Sequence, residues 1–135
     1  MAETFKFELV SPERLLVSEE AESVVIPGSE GEMTVMARHA PVMATMRPGL
    51  VTVKTAAGKT DRYVVYGGFA DILPDSCTLL AESSMHESDL DRADLSRRVQ
   101  ETRQAVSDAT DPQHRSRLEE LLHQLTTLEN AMIPG

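Results

Sequence analysis

The sequence predicts an α+β protein: an N-terminal antiparallel β-sandwich followed by a C-terminal antiparallel two-helix hairpin. Three observations carry that expectation. Short apolar runs divided by Pro- and Gly-containing turns fill residues 1–84, whereas beyond them glycine is absent until Gly135. In that second stretch the apolar residues recur at helical rather than alternating spacing. The composition changes at Glu82-Ser83-Ser84, which sets expected domains of 1–84 and 85–135.

Phe5, Phe7 and Leu9 alternate with Lys6, Glu8 and Val10, the period of a half-buried strand over residues 5–11. Short β-type runs follow at Leu15–Ser18, Ser23–Ile26, Met33–Met36, Val42–Met46, Leu50–Thr55, Tyr63–Tyr66, Phe69–Leu73 and Cys77–Leu80. Ala56-Ala57-Gly58-Lys59 and Pro74-Asp75 read as hairpin turns. Short strands at such close spacing belong to a sandwich or a flattened barrel. Ser88 with Asp91 three residues on reads as a variant capping box opening a helix over about 89–107, with a thin apolar stripe of Leu95, Val99 and Val106. Asp111 as N-cap and Pro112 at the first helical position start a second helix. Its stripe is firm: Leu118, Leu121, Leu122, Leu125, Leu128 and Met132. The short loop between the helices forces them antiparallel.

The chain has 135 residues, is 41% hydrophobic, and holds no Trp, two Tyr and three Phe, so its core must be aliphatic, with seven Met as fillers. The net charge is −9 and spreads over both segments: 12 acids oppose 7 bases in 1–84, and 10 oppose 6 in 85–135. A nucleic-acid partner requires a basic stripe, and an anionic bilayer surface is disfavoured for the same reason. An acidic body suits solubility and a basic protein partner. Cys77 stands alone, which excludes an internal disulfide and fits a small buried hydrophobe. No apolar run reaches the ~20 residues of a membrane span, and Met1 leads almost directly into a strand pattern, so neither direct membrane insertion nor a leader is expected.

Enzymatic constellations are missing. His39, His86, His114 and His123 lack metal spacing, so no metal and no cofactor is expected. No nucleophile elbow frames a serine. Gly28-Ser29-Glu30-Gly31 lacks the lysine of a phosphate loop, and Gly67-Gly68 precedes a strand pattern rather than a helix. Tight turning accounts for both. Ser29, Glu30, Gly31 and Glu32 differ in one respect: two carboxylates on a glycine-flanked turn make an exposed acidic prong that can pair with a partner's Arg or Lys.

The ordered series Ile26-Pro27-Gly28-Ser29-Glu30-Gly31-Glu32, His39-Ala40-Pro41, Arg47-Pro48-Gly49 and Gly67-Gly68-Phe69 resembles the epsilon subunit family of F-type ATP synthases. The resemblance is close over residues 1–84 and looser beyond. It implies a non-catalytic subunit of a proton-translocating synthase, coupling c-ring rotation to the catalytic head through gamma. By the same resemblance, Ser29–Glu32 face the c-ring and His39, Ala40 and Pro41 face gamma. The implied location is the cytoplasmic face of a bacterial inner membrane, peripheral through the complex, with the alpha and beta subunits within reach of the hairpin.

Some family members bind ATP at the hairpin through Ile or Leu, Asp, two variable residues, Arg and Ala. Here Leu90, Asp91, Arg92 and Ala93 begin that motif, but Asp94 and Leu95 stand at its Arg and Ala positions. The motif is degenerate, and Asp94 adds negative charge where a triphosphate needs a cation. The alternative functional reading is a regulatory module whose hairpin senses nucleotide by binding ATP. A small β-sandwich enzyme is the third class.

Overall fold

The computed structural model describes residues 3–132 and divides into two compact units that part between Asp89 and Leu90. Residues 1–2 of the expected sandwich and 133–135 of the expected hairpin lie outside the described residues.

The first unit holds β1 (Phe5–Ser11), β2 (Arg14–Gly28), β3 (Gly31–Met36), β4 (Val42–Thr55), β5 (Thr60–Leu73), β6 (Ser76–Ala81) and β7 (Ser84–His86). Sheet order is β1-β6-β5-β4-β2-β3, and a further β1–β2 pairing closes the path into a ring. The result is the flattened barrel form of a sandwich. One pairing departs from the antiparallel expectation: β1 and β6 run parallel, from Lys6↔Ser76 to Val10↔Leu80. Parallel neighbours need a long crossover, and here β2 to β5 supply it.

Three pairs of expected strands are single bent strands. Leu15–Ser18 joins Ser23–Ile26 in β2, Val42–Met46 joins Leu50–Thr55 in β4, and Tyr63–Tyr66 joins Phe69–Leu73 in β5. Pro48-Gly49 and Gly67-Gly68, which read as turns, are bends inside strands instead. Pro48 lies where the β2–β4 ladder shifts between Val25 and Gly28, so its missing N–H costs no ladder bond to β2. A Cβ on Gly49 would stand 2.7 Å from Pro27 Cβ, so only glycine lets β4 cross there. Gly67 and Gly68 take φ of 104° and 135° inside β5, not between strands. β7, unanticipated, extends the sheet past the expected 84/85 boundary by pairing Ser84, Met85 and His86 with Val65, Val64 and Tyr63.

Alternation places Phe5, Phe7 and Leu9 of β1, Val51 and Val53 of β4, Ile72 of β5, and Cys77 and Leu79 of β6 in one core, mainly aliphatic but anchored by the two phenylalanines. Burying each such side chain contributes about 1.5–3 kcal/mol. Burial also pushes the Cys77 thiol up to about 12, with the charge of Asp71 adding to it, so the residue packs as a hydrophobe.

In the second unit α1 spans Arg92–Asp108 and α2 spans Pro112–Met132. The helix start differs from the expectation. Asp91, assigned above to the third position of a capping box, is itself the N-cap: its backbone is extended and its carboxylate accepts from Ala93 N at 2.9 Å. Ser88 sits instead in a 3₁₀ turn, Glu87–Asp89. Asp111 caps α2 through a bond from His114 N, 3.3 Å, and Arg115 Nη2 donates to Ala109 O at the end of α1. The helices pack on each other, with Leu95, Val99, Leu125 and Leu128 buried.

Candidate functional site

The β2–β3 hairpin makes a tip of two exposed residues, Ser29 and Glu30, between the paired Gly28 and Gly31. Both glycines are required. A Cβ on Gly28 would lie 2.6 Å from Gly31 O, and Gly31 takes φ 138°. Ser29 N donates to Thr45 O at 2.9 Å, which pins the tip to the first half of β4. Between them lies a groove of about 430 Å³ lined by residues 28–33 and 42–45. Glu30 and Glu32 edge it with carboxylates, while Met33 and the 73% exposed Met43 give it apolar walls. The acidic prong is therefore one rim of a mixed groove. That arrangement receives a basic side chain with an apolar stem.

His39, Ala40 and Pro41 form the β3–β4 connection, separate from that groove. His39 Nδ1 donates to Ala40 O at 2.7 Å, and Ala40 and Pro41 are exposed. The segment is braced from the residue before it. Arg38 holds φ 68°, donates its N–H to Pro74 O at 2.7 Å, and pairs with Glu3 at 2.8 Å. A non-glycine residue in the left-handed region is held there by its surroundings.

A further surface was not singled out in the sequence. Register aligns Phe69 of β5 with Leu80 of β6, Leu80 with Val10 of β1, and Val10 with Leu15 of β2. Met43 of β4 stands diagonal to Phe69, since its own partner is Asp71. Phe69 is 54% exposed, Leu80 48% and Leu15 52%. The row is thus an apolar strip across five strands, on the outer face of the sheet. The signal was present in the strands themselves. Phe69 to Leu73 and Cys77 to Leu80 carry apolar residues in both phases, as strands covered on both faces do.

Leu90 is half-buried and precedes the cap, Asp91 spends its carboxylate on Ala93 N, and Arg92 and Ala93 are exposed in the first turn of α1. Asp94 holds both neighbouring arginines: Arg97 pairs with it and with Glu101, and Arg98 Nε lies 3.1 Å away. Hydrogen bonds from Arg98 and then Arg97 keep the Asp94 carboxyl below the usual carboxylate range. This stretch of α1 is an internally neutralised helix face.

The closed sheet, its bent β5 and its glycine-bounded tip agree with the family model described as the ATP synthase Delta/Epsilon chain beta-sandwich domain, which matches residues 4–87. That sets the class. Proteins named ATP synthase epsilon chain match over the whole of both chains: 69% identical in Mesorhizobium japonicum, 61% in Chelativorans and 60% in Sinorhizobium medicae. The chain belongs to the ATP synthase epsilon chain family, whose members are non-catalytic subunits of that complex. Among solved structures, the Euglena gracilis mitochondrial ATP synthase contains a chain 26% identical, with TM-score 0.77, covering 96% of this chain and 82% of that one. A chain of the Tetrahymena thermophila enzyme shares the fold at 9% identity and TM-score 0.61, covering 93% and 96%.

Proposed function

We propose that this chain joins gamma to the c-ring in the central stalk of a proton-translocating ATP synthase. Rotation then passes through a stiff sheet, not a linker. The apolar strip from Met43 through Phe69, Leu80 and Val10 to Leu15 carries this reading, because a face so rich in exposed aliphatic and aromatic carbon marks a protein partner. Gamma is assigned to the strip from Phe69 to Leu15 and to His39–Ala40–Pro41. The c-ring is assigned to Ser29–Glu32 and the groove behind them. The likeness to a chain of an assembly whose description includes a c-ring supports the assignment. No helix among the described residues is long and apolar enough to cross a membrane. The proposed location is accordingly peripheral, on the cytoplasmic face of the bacterial inner membrane.

The helical unit is at most a weak brake. Its Arg97 and Arg98 are engaged with Asp94 and Glu101, which leaves Arg92 and Arg103 as the other exposed arginines of α1. In α2 no Lys or Arg follows Arg117, while Glu119, Glu120 and Glu129 do. Contacts with acidic segments of the alpha and beta subunits would therefore be poorly paired. The same neutralisation argues against the hairpin as an ATP sensor.

The decisive experiment is co-purification of gamma with the Phe69→Ser/Leu80→Ser double variant. Both side chains are about half exposed, so the fold should melt near the parent while gamma is lost. Full retention of gamma by a folded double variant would remove the strip from the interface.

A further inference from the structure

His86 lies at the point where the chain leaves the sheet, and from β7 it touches both β5 and the 3₁₀ turn. From β7 its Nε2 reaches Asp61 Oδ1 of β5 at 3.4 Å. Its ring meets Tyr63 edge-on, centroids 5.2 Å apart and planes at 89°. Nδ1 lies 2.8 Å from Ser88 Oγ and accepts the Ser88 backbone N–H at 3.1 Å, in the 3₁₀ turn.

These contacts define one neutral tautomer. A backbone N–H only donates, so Nδ1 must hold a lone pair; an ionised carboxylate only accepts, so Nε2 must hold the proton. A second proton, placed on Nδ1, would set N–H against N–H at Ser88. The Ser88 hydroxyl can rotate to accept, but the backbone amide loses its acceptor. The Nε2 side gains, because the ring becomes cationic opposite Asp61.

We propose that His86 is a proton-operated clasp: on double protonation it releases the 3₁₀ turn Glu87–Asp89 while tightening β7 onto β5. Charged groups face the ring from each element packed against it. Asp61 faces it from β5, with Lys59 Nζ 4.0 Å from the same carboxylate oxygen as a partial counterweight. Glu19 of β2 adds a second carboxylate, and its charge and that of Asp61 both act on Tyr63. Glu87 of the turn is partly neutralised by Arg62, 3.9 Å away. Burial, then Glu19 and Asp61, push the Tyr63 phenol up to about 12, so it contributes no competing charge. β7 has three residues, so contacts at its end count heavily in how the segment is held. Histidine is the side chain that changes charge within about pH 5–8, so the connector between the two compact units would loosen on the acid side of that window. This inference is independent of the stalk assignment.

Solution NMR of the full ¹⁵N-labelled chain from pH 8 to pH 5 tests it. At pH 8 the ring should appear as the Nε2–H tautomer. As it titrates, the Ser88 amide signal should shift with the ring's own midpoint. Residues 87–91 should lose order on the acid side while Ser84 and Met85 keep theirs. His86→Phe retains a ring beside Tyr63 but no nitrogens, and should leave residues 87–91 as mobile at pH 8 as the parent at pH 5. An Nδ1–H tautomer at pH 8, a Ser88 amide indifferent to the ring, or a rigid connector in His86→Phe would each overturn the clasp.

Discussion

A Cβ on Gly68 would overlap the carbonyl oxygen of Leu80 and stand 2.9 Å from Ala81 Cα, so β5 and β6 meet backbone to backbone there. Gly67, one residue earlier, also has positive φ, but its nearest foreign atom would be Met46 O at 3.7 Å. The two glycines therefore separate strain from crowding. Gly67→Ala should lose only the conformational part, about 1–3 kcal/mol. Gly68→Ala should lose that and roughly 1–3 kcal/mol more, because no side-chain rotation can move a backbone carbonyl. Denaturant midpoints of the two variants provide the comparison. Equal losses would mean that β6 retreats without cost.

Glu19 is a stability liability at neutral pH. Its Oε1 is buried without a hydrogen-bond partner among the described residues, and its carboxyl is raised chiefly by burial, then by Asp61, against a smaller lowering by Lys59. A folded-state pKa above the unfolded one favours the protonated form. Glu19's favourable contribution is thus fully present below the unfolded value and vanishes as pH rises through the folded one. Glu19→Gln should raise the melting temperature at pH 7, by less than about 4 °C because the group is partly solvated. The gain should shrink as both proteins are taken toward pH 4. A lower melting temperature at pH 7 would show that the carboxylate is doing useful structural work with Lys59.

Much of this architecture was legible from local chemistry. The alternation of Phe5, Phe7 and Leu9, the glycine-bounded tip at Ser29-Glu30, and Asp111-Pro112 opening a helix all depend on neighbours within a few residues. What escaped depends on distant partners. Pro48-Gly49 and Gly67-Gly68 read as turns because turn residues and strand bends share the same dihedral demands. Only Pro27 opposite Gly49, and Leu80 opposite Gly68, decide between them. β7 escaped because Ser84, Met85 and His86 have little strand character of their own, and pairing with Tyr63–Val65 makes the strand. The apolar strip was spelled out residue by residue, yet Phe69, Leu80 and Val10 become neighbours only through the register of β5, β6 and β1.

Glu30 and Glu32 should matter together and in a salt-dependent way. Exposed charge pairs contribute ~0–1 kcal/mol each, so either change to Gln alone should leave assembly near normal. The double change should loosen attachment of the membrane sector at low ionic strength. The gap from the parent should close as salt screens the parent's own pairs over the Debye length. Stripping of complexes across a salt series gives the measurement. Parent-like attachment at every ionic strength would remove the carboxylates from the contact and leave the groove's methionines as its basis.

Removing the helical unit should leave ATP hydrolysis by the assembled enzyme nearly unchanged. The cut belongs after Asp89, not after Ser84, because β7 and the His86–Asp61 contact would otherwise be lost with it and confuse the result. A brake of this kind needs cations presented to an acidic head. In α1 Asp94 and Glu101 already occupy Arg97, and Asp94 is shared with Arg98, so only Arg92 and Arg103 of its four arginines are presented. In α2, Arg115 is turned back onto Ala109 O, and no Lys or Arg follows Arg117 while Glu119, Glu120 and Glu129 do. Insertion would also separate the packed helices and expose part of the apolar surface around Leu125 and Leu128, at about 25 cal/mol for each Å² uncovered. Both terms oppose extension. Hydrolysis rates with the full chain and with the chain ending at Asp89 should therefore agree closely. Several-fold activation on truncation would mean that the head supplies contacts strong enough to outweigh both.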